Sequence, residues 1–112
     1  MNEKETQSAV KKLYREVGGF VYDLSQPRAT KQTPGVPDLI VFLVWRGKGY
    51  MWFHEVKASD TQGGRCLYSS LHCRQSSPQK AFQDSCDRAG QTYLLGGVDA
   101  AIAHLKSLGV LG

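Results

Sequence analysis

Asp38-Leu-Ile-Val-Phe-Leu-Val-Trp45, Arg46-Gly-Lys-Gly49 and Tyr50-Met-Trp-Phe-His-Glu-Val-Lys57 lie end to end in this chain. The first and third pieces are rich in β-branched and aromatic side chains. The glycine-bearing piece between them is short enough for a tight turn, so the stretch predicts a β-hairpin. Apolar residues occupy both faces of both strands, which predicts a central pair in a sheet covered on both sides. A turn centred on Gly47-Lys48 opposes residues whose numbers sum to about 95. Lys57 then faces Asp38, and Glu55 faces Ile40. Because strand side chains alternate, Asp38, Glu55 and Lys57 project from one side of one sheet end. Two carboxylates on diagonal positions there can share a hard cation such as Mg²⁺, with waters and phosphate oxygens completing its shell. A salt-bridged cluster at a strand edge is the ordinary alternative. Three ionisable groups among otherwise apolar strands are costly unless a site uses them, which favours the site.

Upstream, residues 3–17 set Ala9, Val10, Leu13, Tyr14 and Val17 on one helical stripe, capped by Asn2 and ended by Gly18-Gly19. Residues 20–24 read as a short strand. Residues 25–37 hold three prolines and the cations Arg28 and Lys31, and read as a loop. Downstream, residues 58–76 are polar and glycine-bearing and carry no clear periodicity. Ser77-Pro78 predicts a helix start, with Ala81, Phe82, Ser85 and Ala89 as its buried stripe and Gly90 as its stop. Residues 91–95 predict a strand, and Asp99 is expected to cap a last helix that runs to Leu108. The predicted order is α-β-β-β-α-β-α.

With 112 residues and 12.4 kDa, the expectation is one domain over 1–112. Hydrophobic residues at 41% and charged residues at 21% fit a globular chain and argue against general disorder. No apolar run approaches the ~20 residues of a membrane span, and the charged start Met1-Asn2-Glu3-Lys4-Glu5 argues against a secretory signal. A net charge of +4 leans towards polyanionic partners. Three cysteines, an odd number, argue against a disulfide framework and for a reducing cytoplasm. Cys66, His72, Cys73 and Cys86 match no common zinc spacing. His54-Glu55 lacks the second histidine that a zinc protease needs at position 58, and the glycines form no phosphate-binding loop. The serines and cysteines have no triad context.

Gly35-Val36-Pro37-Asp38, Glu55-Val56-Lys57 and Ser77-Pro78-Gln79 together resemble the PD-(D/E)XK nuclease superfamily and, within it, the VRR-NUC group of virus-type replication and repair nucleases. The resemblance runs from about Glu5 to Gly97. It implies an α/β fold, a restriction-endonuclease-like α-β-β-β-α-β core whose central mixed sheet is flanked by helices, with an insertion around 59–76. It also implies a Mg²⁺- or Mn²⁺-dependent deoxyribonuclease. Asp38 and Glu55 would be the metal-binding carboxylates, joined by the Val56 backbone carbonyl. Lys57 would position the attacking water, and Gln79 would support the site. An acid on the first helix also belongs to the pattern. Glu5 fits best and Glu3 is the fallback, although Asn2-x-x-Glu5 is equally a capping-box spacing. Arg28, Lys31 and Lys80 are candidates for phosphate contacts, which position a nucleic acid without reading its sequence. The implied substrate is branched DNA such as Holliday junctions in phage or viral DNA repair. Paired cuts on a symmetric junction would call for a homodimer. Two alternatives stand beside this reading: a catalytically inactive nucleic-acid-binding module, and a restriction-type sequence-specific endonuclease.

Overall fold

In a computed structural model, residues 2–24, 34–58 and 75–112 are described, together with the backbone of residues 61–62 and 65–66. Helix α1 (Glu3–Glu16) starts where the Asn2 side chain accepts the Glu5 N–H at 2.8 Å, and it turns Thr6, Val10 and Tyr14 into the core. It ends at Gly18, whose φ of +89° belongs to the left-handed region that glycine adopts freely. The strands β1 (Phe20–Asp23), β2 (Leu39–Trp45), β3 (Lys48–Val56) and β6 (Thr92–Gly96) form one sheet in the order β1-β2-β3-β6. The first two pairings are antiparallel, and β3 runs parallel to β6. Helix α2 (Ser77–Ala89) links β3 to β6, and α3 (Val98–Ser107) follows β6. The α-β-β-β-α-β-α order predicted from sequence is present.

The α2 stripe expected at Ala81, Phe82, Ser85 and Ala89 is not the buried one, since Ala81, Ser85 and Ala89 are exposed and Cys86 is buried; four further details differ from the sequence reading. The hairpin turn sits at Arg46-Gly47, not Gly47-Lys48, and Trp45 pairs with Lys48. Both turn residues have positive φ, +50° and +77°, as a two-residue turn matched to strand twist requires. The register is thereby shifted by two: Leu39 faces His54, and one further step puts Asp38 across from Glu55. A shift of two keeps parity, so the carboxylates still share a face. Secondly, α2 is capped by Ser76, one residue earlier than expected, and α3 by Gly97 with no side-chain cap. Thirdly, the stretch without a sequence assignment contains a small antiparallel pair, β4 (Thr61–Gln62) with β5 (Arg65–Cys66). Residues 59–60, 63–64 and 67–74 of that stretch, like Arg28 and Lys31, lie outside the described residues.

The fourth difference concerns coverage. Leu39, Val41, Leu43, Trp52 and Val56 point to one face, where Val10 and Tyr14 of α1 and Ala101 and Leu105 of α3 complete the core. Tyr14 meets Trp52 edge-on at 5.4 Å, and Trp52 meets His104 of α3 at 4.6 Å. The opposite face carries α2 only over β3 and β6, where Phe82 packs on Phe53 at 5.1 Å and on Tyr93. Towards the β1 edge, Phe20, Tyr22, Phe42 and Val44 remain exposed. Among the described residues, helices cover one side of the sheet fully and the other by about half.

Candidate metal and catalytic site

Five elements meet at one end of the sheet: β2 begins there, β3 and β6 end there, and the first turns of α1 and α2 lie beside them. Pro37, fully buried, leads the chain into this end, and the Asp38 carbonyl accepts the Leu24 N–H at 2.7 Å. The Asp38 carboxylate is aimed at β3, where Oδ2 accepts the Val56 N–H at 2.9 Å. Val56 itself is fully buried at the last position of β3. Burial holds the Asp38 carboxyl above the ordinary carboxylate range, the Val56 bond opposes that shift, and the charge of Glu3 adds to it.

Glu55 is the most enclosed acid of the site, 3% exposed. Its Oε1 accepts from Gln79 Nε2 at 2.7 Å and lies 3.7 Å from Lys57 Nζ. Its Oε2 is buried and has no hydrogen-bond partner. Burial, reinforced by the nearby Asp38 charge, pushes the Glu55 carboxyl up to about 7, with Lys57 pulling the other way. A carboxylate left with one orphaned oxygen beside a second raised carboxyl is short of positive charge.

Gln79 joins the parts. It occupies the third position of α2, where Oε1 accepts the Ser76 N–H at 2.8 Å and Ser76 Oγ accepts the Gln79 N–H at 3.3 Å, a reciprocal capping box. The same Oε1 accepts from Lys57 Nζ at 3.4 Å. One side chain thus ties the helix start to both Glu55 and Lys57. Lys57 is only 12% exposed, and its backbone N–H continues the β3–β6 ladder to the Gly96 carbonyl at 3.1 Å. Lys80, next along α2, is well exposed and pairs with Asp84 at 3.6 Å.

Asp38, Glu55, Lys57 and Gln79 are therefore brought together, with Val56 between them. Glu5 is engaged elsewhere: it is exposed, and its Oε1 accepts from the Asn2 side-chain amide Nδ2 at 2.9 Å, while Asn2 caps the helix through the Glu5 N–H. Glu3, two residues earlier, is the α1 acid whose charge bears on both Asp38 and Glu55. The Asn2-x-x-Glu5 spacing was the sequence signal for this division of labour. Among the described residues no three His, Cys, Asp or Glu side chains gather into a metal cluster. A pair of carboxylates is nonetheless enough for Mg²⁺, which keeps several waters. The orphaned Glu55 Oε2 and the two raised carboxyls fit a divalent cation held by Asp38 and Glu55.

His54, beside Glu55 in sequence, points to the covered face. Its Nε2–H donates to the Gly96 carbonyl at 2.9 Å, so its Nδ1 accepts the Tyr14 hydroxyl at 2.7 Å. Burial lowers it to about 4, so it is a neutral core residue.

No family model and no curated protein matches this sequence. Among solved structures, one described as a VRR_NUC domain superposes with a TM-score of 0.62 at 24% identity, over 94% of each chain. Among the described residues no helix is long and apolar enough to cross a membrane. The restriction-endonuclease-like α-β-β-β-α-β core anticipated from the motifs is the architecture observed, and this chain has the fold of a VRR_NUC domain.

Proposed function

We propose that this chain is a VRR-NUC-type nuclease of the PD-(D/E)XK class, a metal-dependent deoxyribonuclease that hydrolyses phosphodiester bonds and selects branched DNA such as Holliday junctions. The observation that carries the reading is the pairing of half-buried Asp38 with buried Glu55, where Lys57 and Gln79 sit on one Glu55 oxygen and the other, buried, has no hydrogen-bond partner among the described residues. Asp38, Glu55 and the Val56 carbonyl would hold Mg²⁺ or Mn²⁺, with Glu3 in preference to Glu5 as the acid of α1. When bound, the cation supplies Lewis acidity and a more acidic water. Lys57 brings a compact positive charge on a rigid strand end, where it stabilises negative charge building on the phosphate. Gln79 orients Glu55 and Lys57 relative to each other. Arg28, Lys31 and Lys80 would contact the phosphate backbone. Two-fold cutting of a symmetric junction would use a homodimer, acting in the cytoplasm, including a host's cytoplasm for a phage protein.

The test is cleavage of end-labelled four-way junction, flap, duplex and single-stranded DNA in Mg²⁺, Mn²⁺ or EDTA. Metal-dependent cutting of the junction is expected. Lys57→Ala should lower it by at least about a hundredfold, the scale for losing one electrostatic stabiliser, with the circular dichroism spectrum unchanged. Mg²⁺ should also raise the melting temperature at pH 8 and leave that of an Asp38→Asn, Glu55→Gln double variant unmoved. Binding without cutting in every metal would favour the inactive binding module instead.

A further inference from the structure

Gly35 belongs to the turn that leads into Asp38, and it touches a different part of the site. Its φ is +88°. A Cβ placed on it would lie 2.9 Å from the Gln79 nitrogen and closer still to the Pro78 carbonyl. Both are backbone atoms of the first turn of α2, which cannot swing aside as a flexible side chain would. This turn also carries the Gln79 side chain that bonds Glu55 and Lys57. Gly18 is a matched comparison within the same chain: its φ is +89°, but a Cβ there would meet nothing within 4 Å.

We propose that Gly35 is a positioning residue: its missing Cβ lets the turn before Asp38 seat directly on the first turn of α2, which holds Gln79 between Glu55 and Lys57. The start of α2 is thereby held at one spacing from this turn, and through Gln79 that spacing reaches Glu55 and Lys57. The link to cleavage rests on the nuclease reading above, whereas the spacing does not.

The experiment compares Gly35→Ala, Gly18→Ala, Gln79→Ala and the Gly35→Ala, Gln79→Ala double variant. Gly35→Ala should cut the junction at least tenfold more slowly at saturating DNA, with the dissociation constant for DNA unchanged. Gly18→Ala, which meets the same backbone strain without the contact, should cut at the unmodified rate despite a lower melting temperature. The double variant should be no slower than Gln79→Ala alone, because Gly35 acts through Gln79. Multiplying losses, or an unimpaired Gly35→Ala, would overturn the proposal. Nuclear magnetic resonance supplies a readout independent of cutting. The Gln79 side-chain amide signals should move in Gly35→Ala and stay in place in Gly18→Ala. The unmodified protein should give a strong Overhauser contact between the Gly35 Hα and the Gln79 N–H. Absence of that contact overturns the proposal even if Gly35→Ala does not fold. A protein that cuts nothing in any metal but shows the contact and the amide shifts would lose the nuclease reading and keep the spacing.

Discussion

Glu55 and His54 are neighbours in sequence that face opposite sides of the sheet, and their buried ionisations pull stability in opposite directions. The Glu55 carboxyl titrates near 7 when folded, against 4.5 ordinarily, so its contribution is fully present below 4.5 and lost as pH rises through 7. His54 is lowered to about 4 from 6.5, so its contribution is present above 6.5 and lost as pH falls through 4. The two shifts are similar in size and largely cancel between 4.5 and 6.5. Asp38, also raised, adds to the Glu55 side. Glu55→Gln removes one arm of this balance. In EDTA at pH 8 the variant should be about 2 kcal/mol more stable than the unmodified protein, less whatever the lost Lys57 pairing contributed. Its stability should then fall as pH is lowered from 6.5 to 4, where the unmodified protein changes little. Urea denaturation at four or five pH values measures both. A variant no more stable at pH 8 would mean that any buried-charge cost at Glu55 is no larger than the contribution of its Lys57 pairing. At this scale the sequence showed the acids but not their surroundings. Asp38, Glu55 and Lys57 stood out because they interrupt apolar strands, whereas Gln79 was visible only through the family resemblance. No pattern in the chain announces that Gly35 touches a helix more than forty residues later.

The β2–β3 hairpin was legible because strand composition and glycine punctuation coincide there, and the expected position of its turn was off by one. Gly47 supplies positive φ at the second turn position, and the first falls to Arg46, a residue with no preference for φ of +50°. Sequence reasoning looks for glycine at the turn centre, so it moved the centre towards Lys48. The site survived this error because a two-residue register change preserves the facing of every side chain. Arg46 gains only a weak contact in return, its guanidinium 5.9 Å from the Trp45 ring centre. Asn is favoured at the first position of such a turn because its side chain tolerates the left-handed region. Arg46→Asn should therefore stabilise the protein by about 0.5–1 kcal/mol. DNA cleavage should be unchanged, since the turn lies at the far end of the hairpin from Asp38 and Glu55. A shift of the denaturation midpoint with an unchanged slope is the measurement, and a destabilised variant would show that the Trp45 contact outweighs the turn preference.

At the level of the whole molecule, helices flank both faces of the sheet as expected, but among the described residues the cover on the α2 side is incomplete, for a physical reason. Hydrophobic residues on both faces of a strand are compatible with two covered faces or with one covered and one half open. Phe20 at 62% exposed and Val44 at 66% show that the latter holds here. The asymmetry bears on how a polyanion reaches the site. Helices α1 and α3 close one face around a fully buried core, whereas Glu55 and Gln79 meet on the face carrying α2. On the nuclease proposal, a DNA strand would meet Asp38 and Glu55 from the α2 side, the side that carries Lys80. Lys12, exposed on α1, would lie away from it. Lys80→Glu and Lys12→Glu each take the net charge from +4 to +2, so bulk attraction falls equally in the two variants. If approach is oriented, Lys80→Glu should weaken DNA binding about tenfold at ~0.1 M salt and flatten the logarithmic salt dependence by at least about one unit. Lys12→Glu should cost less than about twofold under the same conditions. Fluorescence anisotropy with a labelled junction in EDTA reads both without cutting the probe. Equal losses from the two variants would mean that net charge alone draws DNA to this protein, and that the open side of the sheet gives it no preferred direction.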